Sequence, residues 1–325
     1  MTDTESIPEL SVVIAAFNAG GTLGEQLREL AAQTPQWPWE VIVADNGSTD
    51  RTTEVVAELQ ADFPWLRLVD ASQRRGPAAA RNVGVTYARA ARIAFCDADD
   101  LIADGWVETM HAALVEHEFV AGSFDTRRLA GRNRFVVSWS PQREALSVKP
   151  YLPQFVTGGS GNLGIRRSVF NEAGGFDESA MVAEDDDLCL RVQLAGHQLV
   201  FESSLVLHVR RRAGLRAVLR QARAYGAGAR RLEHRYARIV ARLHPAVPAP
   251  EVTPTGVANP GGNSGGLIRD RLGRLMRVVR RLGQPEQLAD LTWRVGYRWG
   301  WRQAKLDDVV QLHPDDFRWS RSRIR

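Results

Sequence analysis

Short, unbroken apolar runs alternate with longer amphipathic segments through the first third of the chain. "LSVVIAAF" (Leu10–Phe17), "WEVIVAD" (Trp39–Asp45), "LRLVD" (Leu66–Asp70) and "RIAFCD" (Arg92–Asp97) are such runs. Between them lie Thr22–Gln33, Arg51–Asp62 and "GPAAARNVGVTYARA", opened by Pro77, all compatible with helix; "NGSTD" supplies turn and capping residues ahead of the second. Strands that read as continuous apolar runs are buried on both faces. The alternation therefore predicts an α/β fold with a mostly parallel central sheet flanked by helices. Ligands of such sheets sit beyond the carboxyl ends of the strands, where Asn18, Asp45 and Asp97 stand.

After Trp106 the pattern predicts a helix to about His117, strands in "FVAGSFD" and "RFVVSWS", and a short helix in "SVFNEAGGF" closed by a glycine pair. A helix over about Asp185–Ala195 and a strand in "QLVFESSLVLHV" follow, whereas "KPYLPQFVT", with two prolines, is scarcely a strand. A basic helix is expected over Arg216–Arg242, and Pro245–Gly266 reads as a flexible linker rich in Pro, Gly, Ser and Thr. Two further helices are expected, over Leu267–Leu282 and Glu286–Lys305. This organisation implies a main α/β domain over 1–224, with one half to about 105 and another over about 106–224. A basic helix (225–244), the linker (245–266) and amphipathic basic helices (267–325) would then form a helical C-terminal extension.

Composition narrows the class. With 44% hydrophobic and 25% charged residues the chain can bury a substantial core. No run reaches the roughly 18 apolar residues of a membrane span. The acidic "MTDTESIPEL" lacks the basic and apolar regions of a signal peptide, so a cytoplasmic location is expected. Cys96 and Cys189 are the only cysteines, too few for a disulfide framework or a four-thiolate zinc site, and read as buried, reduced side chains. The net charge of +4 is uneven: carboxylates gather near Asp97–Asp104 and Glu184–Asp187, and arginine dominates after Leu207. Arginine suits phosphate recognition, although codon bias in a GC-rich genome produces the same skew.

"DADD" after an apolar strand has three readings: a Mg²⁺ or Mn²⁺ site, a phosphoryl-transfer nucleophile of the haloacid-dehalogenase type, or a solvated loop capping a helix. The dehalogenase pattern normally has Thr or Val where this chain has Leu101. "GSGNLG" (Gly159–Gly164) has the spacing of a dinucleotide fingerprint, but no clear strand precedes it and an extended segment follows.

Four ordered segments decide between the readings: "SVVIAAFN", "VIVADNGSTD", "GPAAARNVGVTYARAARIAFCDADD", and "GNLGIRRSVF" with "GGFDE" leading into "AEDDDLCLRVQLAG". Together they resemble the inverting nucleotide-sugar glycosyltransferases of family two, which have the GT-A fold, and they extend over about Leu10–Gly196. The resemblance implies transfer of a hexose or deoxyhexose from a UDP-, GDP- or dTDP-sugar to an acceptor hydroxyl, with Mn²⁺ or Mg²⁺ as cofactor, in cell-envelope polysaccharide, glycolipid or other glycoconjugate synthesis. It implies that Asp97 and Asp99 hold the metal and diphosphate, with Asp100 behind them. It places Asp45, Phe17, Ala15, Asn18, Gly76 and Arg81 around the base and ribose, and turns Asn162 toward the donor sugar. Asp185 would be the catalytic base with Glu184 beside it, Asp187 and Arg191 would hold the helix, and His208 would be an additional metal or phosphate ligand. Ala15 stands where most relatives carry Pro, Asn46 where a second Asp is commoner, and the extra Asp186 leaves the choice of base less secure.

The C-terminal region adds arginine-rich helical segments and "LTWRVGYRWGW", with three Trp and a Tyr between Trp293 and Trp301. Basic, Trp-bearing amphipathic helices fit an anionic membrane surface, which would place the protein peripherally at the inner face of the membrane; docking on the catalytic domain or on a second copy is the other reading. Two further function classes stay open: a metal-dependent nucleotidyltransferase or phosphatase, and an arginine-rich nucleic-acid-binding protein, although no nucleic acid is the expected partner.

Overall fold

The computed structural model describes residues 6–129, 137, 142–211, 214–244 and 284–317. The expected linker Pro245–Gly266, the helix Leu267–Leu282 and all of "RFVVSWS" except Val137 lie outside them. Two compact units are present: 6–129 and 142–210 with Phe317 form one, and Val137, 211, 214–244 and 284–316 the other.

The first unit is built on an eight-stranded sheet. Its strands are β1 (Leu10–Ala16), β2 (Trp39–Asp45), β3 (Leu66–Asp70), β4 (Arg92–Asp97), β5 (Leu101–Ile102), β6 (Phe119–Asp125), β9 (Asn162–Arg166) and β10 (Leu199–His208). They are ordered β3-β2-β1-β4-β9-β6-β10-β5. β1 to β4 pair in parallel, as do β6 and β10. β9 runs antiparallel between β4 and β6, and β5 runs antiparallel to β10.

Burial on both faces explains the unbroken apolar runs. β1 sends Leu10, Val12 and Ile14 into one core and Val13 into the other; β2 divides Val41 and Val43 from Ile42 and Ala44 in the same way. Helices α1 (Leu23–Ala31) and α4 (Trp106–Glu116) close the first core, and α3 (Pro77–Tyr87) and α6 (Glu184–Leu194) the second. Helices α2 (Thr52–Gln60) and α5 (Arg167–Glu172) complete this unit. The carboxyl ends of β1, β2 and β4 put Phe17, Asp45 and Asp97 along one edge of the sheet.

"KPYLPQFVT" does form a strand. β7 (Ser147–Lys149) and β8 (Leu152–Thr157) pair antiparallel as an isolated hairpin. Pro153 is tolerated because it lies outside the paired positions, where its missing N–H breaks no ladder.

One polar side chain ties several elements together. Asn162 is fully buried; its Oδ1 accepts from Trp106 Nε1 (2.9 Å), and its Nδ2 donates to Ser123 O (3.0 Å) and Leu205 O (2.8 Å). Glycine is required at position 122 because any Cβ there would run into Leu205 O and the Asn162 amide.

The second unit pairs α7 (Leu215–Arg235) with α9 (Pro285–Gln303), and carries α8 (Ala237–Leu243). A boundary after Ala224 would cut α7 in mid-helix; the chain passes from one unit to the other between Arg210 and Arg211. The expected single helix Arg216–Arg242 is broken at Tyr236, which closes α7 and opens α8. The α7 and α9 backbones approach closely: a Cβ at Gly226 would run into Tyr297 O, and one at Gly300 into Arg223 O.

Asn162→Ala leaves the Trp106 N–H and two buried carbonyls without partners. At about 1–3 kcal/mol for each unsatisfied group, the urea midpoint is expected to fall sharply with the slope unchanged.

Candidate active site

The site is assembled from strand ends and one helix N-terminus. At the β4 end, the Asp97 Oδ1 accepts from Arg81 Nη2 at 2.8 Å, and Arg81 Nη1 donates to Glu184 Oε1 at 2.9 Å. Arg81 reaches from α3 and is buried, with its guanidinium 5.5 Å from the Phe176 ring centre. Burial alone would favour losing the proton, yet the Asp97 and Glu184 charges outweigh it and raise the Arg81 pKa. One cation thus joins the acidic loop after β4 to the start of α6.

The glycine turn Gly158–Gly161 lies between the two acidic clusters. A Cβ on Gly161 would sit 2.7 Å from Asp97 Oδ2, and one on Gly159 2.9 Å from the Phe124 ring and 3.8 Å from Asp185 Oδ2. The glycines are therefore required by close approach; none of these four residues has a positive φ. Leading into β9 rather than a helix, "GSGNLG" is no dinucleotide fingerprint.

The four carboxylates of α6 have separate surroundings. Glu184 pairs with Arg81, Asp186 with Lys149 Nζ (2.6 Å), and Asp187 with Arg191 Nε (2.7 Å). Arg191 also donates to Gly175 O at 2.7 Å and to Ala173 O, fixing the helix to the preceding loop. Asp185 makes no ion pair among the described residues. Its Oδ1 accepts from Asp186 N (2.8 Å) and its Oδ2 from Ser160 N (3.3 Å). Burial, followed by the Glu184 and Asp186 charges, pushes its carboxyl up to about 7.

At the other cluster, Asp100 is buried and accepts from Arg210 N at 2.7 Å, while Arg210 Nε donates to Asp99 O at 3.0 Å. Burial, with Asp97 and Asp99 adding to it, pushes Asp100 up to about 8. Asp100 caps no helix: Gly105 opens α4. The Asp99 side chain is exposed.

Around the β1 and β2 ends, Phe17 is 52% exposed and so is not a core residue. Ala15 packs partly on the second core and pairs with both Ala44 and Asp97. Asn18 has a left-handed φ of 49°; its N–H donates to Ser48 Oγ (2.9 Å) and its Oδ1 accepts from Thr49 N (2.8 Å). Its described bonds lash the first loop to the second. The Asp45 carboxylate accepts from Gly47 N (3.2 Å) and Ser48 N (3.1 Å), an Asx-type turn.

Asn46 was not singled out as a site residue, yet its amide organises the next loop. Nδ2 donates to Ala71 O (2.6 Å) and Arg74 O (2.8 Å), and Oδ1 accepts from Gly76 N (2.8 Å). An Asp here would set a carboxylate against two carbonyls, which explains the departure from the commoner residue. Gly76, with a φ of 128°, then opens α3 ahead of Pro77. Gln142, another residue without a sequence signal, has a left-handed φ of 56°; it donates to Gly122 O (2.7 Å) and accepts from Gly159 N (2.7 Å).

Two expectations change, those for Asn162 and Arg81. Asn162 does not turn toward the donor site, because both ends of its amide are used inside the sheet. Arg81 points into the interior ion pair rather than lying along a nucleotide, and Glu184 is its partner. His208 lies with Nδ1 3.3 Å from Asp125 Oδ2, without the geometry of a hydrogen bond. Among the described residues no group of three or more His, Cys, Asp or Glu side chains forms a ready-made metal cage.

The sequence profile of Glycosyl transferase family 2 matches residues 11–174, and that of Glycosyl transferase family group 2 matches 126–301. The chain belongs to glycosyl transferase family 2. This family-2 chain is 25% identical over 209 residues to the glycosyltransferase AglE of Haloferax volcanii, covering 62% of itself and 67% of that protein. It is 27% identical over 221 residues to the succinoglycan biosynthesis protein ExoO of Rhizobium meliloti, covering 63% of itself and 62% of ExoO. It thus spans less than two thirds of ExoO's length. Among solved structures, the mannosyltransferase PcManGT of Pyrobaculum calidifontis, in complex with GDP-Man and Mn²⁺, aligns with a TM-score of 0.59 and 18% identity over 91% of this chain and 88% of that one. S. aureus TarS 1-349 in complex with UDP-GlcNAc aligns with a TM-score of 0.51 and 18% identity over 72% and 73%. These likenesses establish the GT-A fold of the family-2 chain.

Replacing Arg81 with Leu strands the Asp97 and Glu184 carboxylates beside each other. Breaking a buried pair costs about 3–5 kcal/mol, so the urea unfolding midpoint is expected to drop correspondingly. Arg81→Lys, which cannot fork to both acids, is expected to recover only part of it.

Proposed function

We propose that the chain transfers a sugar from a nucleoside-diphosphate sugar to an acceptor hydroxyl, inverting the anomeric centre with the help of Mg²⁺ or Mn²⁺. Family membership supports glycosyl transfer; PcManGT with GDP-Man and Mn²⁺ and TarS with UDP-GlcNAc support a nucleotide-sugar donor and a divalent cation. The succinoglycan role of ExoO supports an acceptor in an envelope or extracellular glycan.

The observation that carries the mechanism is the isolation of Asp185. Its three neighbours are each held by a cation, whereas among the described residues its own carboxylate accepts from main-chain N–H groups alone. A carboxyl pushed up to about 7 is matched to taking a proton at neutral pH. In an inverting displacement Asp185 takes the acceptor's proton as its oxygen attacks opposite the departing diphosphate. The two N–H bonds hold the carboxylate in place, and the glycine turn lets donor and acceptor approach it closely. Glu184 acts indirectly, by holding Arg81 against Asp97.

The donor set fits a hard divalent cation. One Asp97 oxygen is fixed by Arg81, while the other borders the space a Cβ at Gly161 would fill. With Asp99 this supplies one or two carboxylates, and substrate phosphates ordinarily complete such a set. When bound, the cation offsets the negative charge developing on the diphosphate. His208 is proposed as an outer ligand beside Asp125. Phe17 and the Asp45 turn offer an exposed ring and a polar edge to the nucleobase.

Asp185→Asn is expected to lower kcat by about 10²–10⁴-fold while leaving donor binding within about twofold. In the wild type kcat should rise with pH through about 7, as Asp185 loses its proton. Because the folded state raises this pKa, ionisation above it opposes folding. Asp185→Asn should therefore raise the unfolding temperature at pH 8 and lose that advantage at pH 4. Wild-type turnover with the variant would refute the role.

A separate measurement tests the donor and cation. A nucleoside-diphosphate sugar with Mn²⁺ should raise the unfolding temperature more than either alone, and Asp97→Asn should remove the synergy. Equal shifts with and without Mn²⁺ would refute metal-assisted donor binding.

A further inference from the structure

α9 presents two ordered rows to solvent. Leu291, Val295 and Trp299 are 46%, 55% and 42% exposed, at helical spacing i, i+4, i+8. Arg294, Arg298 and Arg302 repeat the same spacing, are also exposed, and form no ion pair among the described residues. At about 100° per residue the rows lie roughly 60° apart on one side of the helix. An apolar ridge about 12 Å long is therefore edged by a cationic one.

α7 extends the cationic side. The exposed Arg223 guanidinium stacks 4.2 Å from the centre of the Trp299 ring, and Arg216 and Arg220 are exposed on the same helix. The acidic residues of α9, Glu286 and Asp290, lie at its start; beyond Leu291 the helix carries none. The glycine contacts that bring α7 and α9 together leave this side of α9 outside their interface.

We propose that the Leu291–Arg302 side of α9 is a docking surface for an anionic phospholipid bilayer, lying in the plane of the headgroups. Charge complementarity selects this occupant: a protein groove would cover the apolar row, but without an acidic partner it would gain nothing from three arginines that form no ion pair among the described residues. In a bilayer interface the aliphatic residues and the Trp ring enter the acyl boundary while the guanidinium groups meet phosphates. Among the described residues no helix is long and apolar enough to cross a membrane, so the contact is superficial. It would bring the first unit to a lipid-borne acceptor without depending on the proposed chemistry.

The test is flotation of the full chain with vesicles of phosphatidylglycerol and phosphatidylcholine (1:1), or of phosphatidylcholine alone. Binding is expected only to the anionic vesicles and should weaken with salt. Replacing Arg294, Arg298 and Arg302 together with Gln should lower the partition coefficient roughly 100-fold, from about fivefold per arginine. Leu291→Ser with Val295→Ser should lower it about tenfold or more, and Val295→Trp should raise it. Replacing the exposed Arg28, Arg51 and Arg127 with Gln controls for net charge and should change it less than threefold. Circular dichroism identifies any variant that has lost its helices. The proposal is overturned if wild type fails to float, if both α9 variants float like wild type, if the charge control falls as far as the α9 arginine variant, or if the ridge instead mediates concentration-dependent self-association without lipid binding.

Discussion

Two acidic segments distant in sequence share one cation, and the candidate site depends on that sharing. Arg81 receives Asp97 from the end of β4 and Glu184 from the start of α6. Taken out of water, a guanidinium is unfavourable unless its donors are matched, and here two carboxylates take two of its nitrogens. The exchange is mutual, since without Arg81 both acids would face each other across a poorly solvated space. Every other feature of the site is positioned relative to this joint: the glycine turn beside it, Asp185 one residue beyond Glu184, and Asp99 two residues beyond Asp97.

The crowding of Asp97, Asp99 and Asp100 is relieved by groups of the protein itself. Arg81 neutralises the first, while Asp100 is buried with its carboxyl pushed up to about 8 and anchored on the Arg210 N–H. Arg210 also binds the Asp99 carbonyl and the Glu25 carboxylate. The acidic loop is thus a tethered turn whose resting charge is smaller than its composition suggests.

Much of this was legible in the sequence, and the parts that were not share a physical cause. β1 to β4 were visible because burial on both faces leaves an unbroken apolar signature. Asp97 and Asp185 stood out as candidates because clustered acids at a strand end and a helix start repel one another unless something holds them. The hairpin with Pro153 was missed because a two-stranded pair tolerates a residue that a central strand would reject. Asn162, Asn46 and Gln142 were misread or overlooked because a buried amide is defined by partners far away in sequence. Asn162 finds its partners at Trp106, Ser123 and Leu205, and no local pattern records such a set.

The placement of β9 carries a consequence for biosynthesis. It is the keystone between β4 and β6, yet it follows both in the chain. While a ribosome is still delivering residues before Asn162, β4 and β6 each have an unpaired edge, a template for adhesion between nascent copies. Closing that gap also brings Gly161 against Asp97. Pairing of β9 with both neighbours and the approach of the glycine turn to the β4 end are therefore one event, ahead of α6 and β10, and a chain stalled short of it would keep both edges open.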